Sequence, residues 1–186
     1  MPEHSGFPWV ARFPGSTSVN DLEEVFRSAV NRFTEALRTA GATLSVTSTY
    51  RPPERAYLMH WSWMIVKQNQ DPQTIPAMAG VDIQWWHGNL PASRVGAQDM
   101  VTGYGIDGLD VAPALVSRHT KREAIDLAVT WSGTLKVKRA DGTEANITST
   151  PRDSTNADLI AVGATYDVIH FLTPAQDKNH WSIDGH

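Results

Sequence analysis

The period of the apolar residues changes abruptly at Gly41, and that change constrains the fold more than any other feature. Before it, Leu22, Val25, Phe26, Ala29, Val30, Phe33 and Leu37 recur at spacings of three and four. The spacing predicts a helix over 20–39 with one apolar face, capped by Ser18 or Asn20. Glu23 and Glu24 fall in its first turn and Arg38 in its last, as the helix dipole prefers. After Gly41, residues 42–50 (ATLSVTSTY) alternate between apolar and hydroxyl side chains. That is a strand with one buried face.

The same reading extends along the chain. Residues 1–18 are polar and hold Pro2, Pro8, Pro14 and Gly15, which predicts an extended N-terminal arm. Arg51-Pro52-Pro53 breaks the first strand, and a proline there suits the first turn of a helix over 54–69. Residues 71–80 read as a loop, 81–86 as a short strand or a Trp-bearing loop, and 92–104 as a third helix. Strands are expected over 116–119 and 124–131. Residues 133–138 and 144–148 flank Ala140-Asp141-Gly142, a hairpin turn. A helix over 157–171, stopped by Pro174, and a strand over 180–183 complete the order. Helices first and strands later predict an α+β domain, with helices packed on one face of a small, mostly antiparallel sheet. The expected organisation is an arm over 1–18 and a single domain over 19–186.

Composition then narrows the chemistry. The 186 residues include no cysteine, seven His and seven Trp. A thiol nucleophile, an iron–sulfur cluster, a disulfide framework and a cysteine zinc finger are excluded. Any metal must be held by His and carboxylate. Sixteen Lys and Arg against twenty Asp and Glu give a net charge of −4, which argues against nucleic acid as a partner. No stretch approaches the roughly 18–20 apolar residues of a membrane span. The N-terminus lacks the basic start and apolar run of a secretory signal.

The chain contains no His-Glu-x-x-His and no His-x-His, so metal ligands must be dispersed. His119 and Asp126 are seven apart. On one helix they would stand about 10 Å apart along the axis, too far for one ion. A turn over Thr120-Lys121-Arg122 brings them close, with Asp126 inside the following strand.

Here the sequence resembles a family. Ser117-Arg118-His119-Thr120-Lys121-Arg122-Glu123-Ala124-Ile125-Asp126 is similar to the Ser-x-His-x-x-Gly-x-Ala-x-Asp motif of the zinc D-Ala-D-Ala carboxypeptidases and L-alanyl-D-glutamate endopeptidases, whose fold is shared with the Hedgehog signalling domain. The departure is Arg122 where the family carries Gly. If that glycine serves a positive φ angle, Arg122 is costly there. Asp177-Lys178-Asn179-His180-Trp181 resembles the family's C-terminal ligand motif, and Ser48-Thr49-Tyr50-Arg51 its early arginine motif. The resemblance spans about residues 48–181.

It implies a zinc ion held by His119, Asp126 and His180, with an open position for a water whose pKa falls toward about 7. It implies Asp177 as general base and then general acid, and Arg51 as the cation that stabilises the oxyanion. Ser117, Tyr50, Trp181, Trp61 and His60 are the expected substrate contacts. The implied activity is hydrolysis of a peptidoglycan stem-peptide bond involving a D-amino acid, by a D,D-carboxypeptidase or an endopeptidase. The alternative is a non-catalytic, zinc-stabilised module that binds wall peptide, glycan or a protein partner. The implied place of action is the periplasm or cell wall. A phage lysin, a secreted effector with a delivery or immunity partner, and an excised domain all fit. Trp85 and Trp86 are further cleft candidates, and His87 a weaker one. Trp63, Trp131 and His170 read as structural, and His4 and His186 as solvated. Arg118, Lys121 and Arg122 fit either a solvated turn or a binder of substrate carboxylates.

Overall fold

The computed structural model describes residues 2–173 and 176–186. In chain order the elements are β1 (Glu3–His4), α1 (Glu24–Thr39), β2 (Thr43–Ser48), α2 (Pro53–Lys67), β3 (Ile83–Gln84), α3 (Leu90–Tyr104), β4 (Ala124–Thr130), β5 (Leu135–Lys138), β6 (Glu144–Ile147), α4 (Ala157–Thr165), β7 (Ile169–His170) and β8 (His180–Ser182). The fold is α+β, as the change of period predicts. Among the described residues its pairings are antiparallel in the four-stranded sheet β2-β4-β8-β7 and in the β5–β6 hairpin, and parallel only between β1 and β3. Among the described residues no helix is long and apolar enough to cross a membrane.

Contacts divide the chain into two units, each assembled from two segments. One combines residues 2–14 with Arg51–Val116, the other Gly15–Tyr50 with Ser117–His186. The first part of the expected arm is therefore packed. Trp9 is the reason: its indole is 2% exposed in the core of the first unit, beside Tyr57, Leu58, Ile65, Ala97 and Met100. Its Nε1 donates to the His4 carbonyl at 3.1 Å, and Tyr104 Oη donates to the Trp9 carbonyl at 3.2 Å. Burial of this ring, with its hydrogen bonds and the β1–β3 pairing, offsets part of the entropy lost in ordering the segment.

In the second unit the apolar stripe of α1 lies as read. Phe26, Val30, Phe33 and Leu37 are buried with Ile125, Leu127, Val129 and Trp181 of the sheet. The start of the helix differs. Ser18 caps a short 3₁₀ turn over Val19–Asp21, and the carboxylate of Glu23 caps α1 by accepting from Val25 N at 3.0 Å. The hairpin is where the turn residues put it, with Lys138 opposite Glu144.

Two elements depart from expectation. Residues 116–119 form no strand. The Thr120 hydroxyl bonds the Ser117 main chain twice, accepting from Ser117 N at 3.1 Å and donating to the Ser117 carbonyl at 2.8 Å, which closes a turn instead. The helix expected over 157–171 ends at Thr165. Tyr166 N and Val168 N both turn back to the Gly163 carbonyl, Asp167 takes a φ of 64°, and the chain re-emerges as β7. Pro174, read as the stop of that helix, lies outside the described residues.

Candidate metal centre

Strand alternation builds most of this site. In β4, Ile125, Leu127 and Val129 point into the core, so Asp126 points to the other face. In β8, Trp181 points into the core, so His180 points away from it. Register places Asp126 directly opposite His180. The two therefore form a cross-strand pair on the face that α1 does not cover.

His119 reaches the pair from the turn before β4. Arg122 N donates to the His119 carbonyl at 3.2 Å and Glu123 N to the Arg118 carbonyl at 2.8 Å. Those two bonds, with Arg122 at φ 65°, are a Schellman closure, in which the chain passes through one left-handed residue. The position where the motif carries glycine is that residue. The Arg122 guanidinium sits 4.2 Å above the Tyr50 ring, which offsets part of the backbone strain.

The three ligand atoms converge. His119 Nε2 lies 3.1 Å from Asp126 Oδ1 and 3.2 Å from His180 Nδ1, and His180 Nδ1 lies 3.3 Å from the same Asp126 oxygen. Ligands at about 2.0–2.1 Å from a tetrahedral zinc stand roughly 3.3–3.4 Å apart, so the triangle has the edge such an ion needs. The outer nitrogens are engaged elsewhere. His119 Nδ1 donates to the Thr49 carbonyl at 3.1 Å, and His180 Nε2 to the main-chain oxygen of His186 at 3.1 Å. A carbonyl oxygen only accepts, so both protons sit on the outer nitrogens and both lone pairs face inward. Two lone pairs and a carboxylate oxygen at this separation repel unless a proton or a metal ion lies among them. His119, Asp126 and His180 can hold a metal ion.

With a proton rather than an ion among the three groups, burial raises the Asp126 carboxyl, but the hydrogen bonds and charges of the protonated His119 and His180 rings outweigh it and hold the group well below the usual carboxylate range. Burial disfavours a charged His180, yet Asp126, the His186 main chain and the more distant Asp177 together hold its pKa above the ordinary value.

Thr49 is itself anchored. Its N donates to the Ser16 carbonyl at 2.8 Å, and its Oγ1 lies 3.0 Å from both the Ser16 and Ser18 carbonyls. The β2–β4 register slips between Val46 and Ser48, which puts Ser48 opposite Asp126 and its Oγ 3.4 Å from His119 Nδ1. A main-chain carbonyl leaves no side-chain trace, so sequence reading had no route to Thr49.

The other expected site residues fall in different places. Asp177 is exposed three residues before His180, and its Oδ1 accepts from Asn179 N at 3.4 Å. Ser117 Oγ is buried with no hydrogen-bond partner among the described residues. Tyr50 is half-buried beneath Arg122. Trp181 is not a substrate contact: it is fully buried, packs on Phe33 and His170, and donates from Nε1 to the Leu127 carbonyl at 3.1 Å. Alternation with His180 sends it to the core. Arg51, His60 and Trp61 belong to the first unit. There Arg51 is half-buried, His60 Nδ1 donates to the Pro113 carbonyl at 2.8 Å, and the Trp61 Nε1 is buried without a partner among the described residues. Trp61 also lines an apolar cleft of about 420 Å³ with Tyr57, Pro76 and Met78. Trp85 is buried and donates from Nε1 to Tyr57 Oη at 3.1 Å, and with Tyr57 and Trp86 it lines a cleft of about 470 Å³ in the first unit. His170, read on a helix face, is a buried residue of β7.

The basic run is divided. Arg118 bonds two carboxylates, Glu123 and Asp184, Arg122 stacks on Tyr50, and Lys121 is exposed. No family model matches the chain, and no curated protein matches it.

Proposed function

We propose that the chain is a zinc-dependent peptidase that hydrolyses a peptidoglycan stem-peptide bond involving a D-amino acid. The observation that carries this reading is the donor set: two imidazoles with inward lone pairs and one ionised carboxylate, on a triangle of 3.1–3.3 Å. Three protein ligands of N, N and O type leave a fourth position open, which is the pattern of catalytic rather than structural zinc. The substrate class rests on the motif resemblance alone. A zinc ion in this site supplies Lewis-acid polarisation of a carbonyl and an acidified water at neutral pH.

The chain's own groups do the rest. Thr49 and His186 accept from the outer nitrogens of His119 and His180, which orients both rings and presents the inner nitrogen of each to the ion. Asp126 is ionised in the neutral range and supplies the negative charge. Asp177 receives the proton of the attacking water at a carboxylate oxygen and later passes it to the leaving amine. The motif resemblance gives Arg51 the role of the cation that stabilises charge on the carbonyl oxygen.

The test is digestion of purified peptidoglycan, with fragments read by mass. Zinc-loaded protein releases stem-peptide fragments, chelated protein does not, and Asp177→Asn keeps its zinc while losing cleavage by about 10²–10⁴-fold. Full activity in Asp177→Asn removes Asp177 from the mechanism. Zinc binding without fragment release from any wall type points to a binding module instead.

A further inference from the structure

One cation joins the segments that carry the two histidine ligands. Arg118 is the residue before His119. Its Nε donates to Asp184 Oδ1 at 3.1 Å and its Nη2 makes a close bond to Asp184 Oδ2, a two-pronged contact, while Nη1 donates to Glu123 Oε2 at 2.6 Å. Glu123 N in turn donates to the Arg118 carbonyl, so the arginine also staples the turn that presents His119.

Asp184 belongs to a tight turn after β8. Ser182 Oγ accepts from Gly185 N at 2.9 Å and from His186 N at 3.0 Å, and Asp184 Oδ1 accepts from His186 N at 3.3 Å. Gly185 holds φ 78°, and a Cβ there would meet the His170 carbonyl at 2.9 Å. The turn delivers the main-chain oxygen of His186 to His180 Nε2. That oxygen fixes the His180 tautomer and leaves Nδ1 for the ion. The path from one ligand to the other thus runs His119, Arg118, Asp184, His186, His180, and every link in it is a covalent neighbour or a hydrogen bond.

We propose that Arg118 is a positioning residue of the metal centre: by clamping Asp184 it holds the turn whose main-chain oxygen sets the His180 tautomer. The inference rests on the metal reading above and deepens it. It also assigns Arg118 away from substrate carboxylates, because the protein's own two already occupy it. A fork of donors on a planar cation suits a two-oxygen contact in a way that an ammonium does not.

The experiment measures zinc affinity by chelator competition, and the visible absorption of the cobalt(II) form, on the full chain. Outer partners of metal-binding histidines typically change affinity by about 10–100-fold when removed. Arg118→Gln and Asp184→Asn are each expected to weaken zinc by that range and to change the cobalt spectrum. Arg118→Lys, which keeps charge but not the fork, falls between. Arg118→Gln with Asp184→Asn is no weaker than the worse single variant, because both act on one turn. Lys121→Gln, an exposed neighbour in the same basic run, binds as the parent does. Should Arg118→Gln fail to fold, Asp184→Asn reads the same turn without altering the arginine. The proposal is overturned if the parent binds zinc and both single variants match its affinity and cobalt spectrum. It is also overturned if their effects add in the double variant. A parent that binds no zinc overturns the metal reading itself, a result visible before any variant is made.

Discussion

Arg122 holds a backbone angle that suits glycine, and the ring of Tyr50 lies 4.2 Å beneath its guanidinium. A left-handed residue with a side chain costs about 1–2 kcal/mol, and an exposed cation–π contact returns roughly 0.5–1 kcal/mol. Arg122→Ala keeps the strain and loses the ring contact, whereas Arg122→Gly loses the contact but relieves the strain. Chemical denaturation is expected to rank Arg122→Gly above Arg122→Ala by about 1 kcal/mol. The reverse order would contradict the left-handed assignment. His87 offers a second residue-scale test. Its ring stacks on His4 at 4.3 Å and its Nε2 lies 2.9 Å from Ser5 Oγ. Burial, then the neighbouring His4, lower its pKa from 6.5. The unfolded chain therefore takes up this proton before the folded one does. The His87 contribution to stability is full above 6.5 and is lost as pH falls from there toward its folded value. An NMR titration of His87 with a midpoint below 6.5 fits this; a midpoint above it does not.

At the scale of elements, local pattern was legible where neighbours in sequence are also neighbours in space. The stripe of α1, the alternation of β2 and β4, and the hairpin turn at Ala140-Asp141-Gly142 all read directly. Alternation in β8 sends His180 and Trp181 to opposite faces. The end of α4 was not legible. Val168, Ile169 and Phe171 continue an apolar pattern that a helix could use, and only pairing with β8 makes Ile169–His170 a strand. Gly163 carries the other half of that packing. A Cβ there would lie 2.7 Å from the Trp181 ring and 2.9 Å from the Val168 carbonyl. Overpacking of this kind costs about 1–3 kcal/mol. Gly163→Ala is expected to lower the stability of the second unit by that amount in thermal or urea unfolding. An unchanged midpoint would show that α4 does not approach Trp181 so closely.

At the scale of the whole molecule, the division into two units had no signature in the sequence. Each unit joins segments from distant parts of the chain, and the crossings after Pro14 and Tyr50 fall at Pro14-Gly15-Ser16 and Arg51-Pro52-Pro53, which read locally as an arm and a strand break rather than as unit boundaries. Trp9 finds Tyr57 and Met100 only in three dimensions. The candidate metal centre was more legible than the architecture, because three residues of two types, His119, Asp126 and His180, carry it in recognisable motifs. Its supports were not: Thr49 and His186 act through main-chain oxygens, and Arg118 through a partner 66 positions away. The proposed peptidase needs one zinc ion on His119, Asp126 and His180. Equilibrium dialysis against zinc tests it most directly, with the parent chain beside His119→Ala and His180→Ala. One zinc retained per parent chain, and none per variant under the same buffered zinc, is the predicted result. Zinc retained equally by parent and variants, or by neither, would contradict the account.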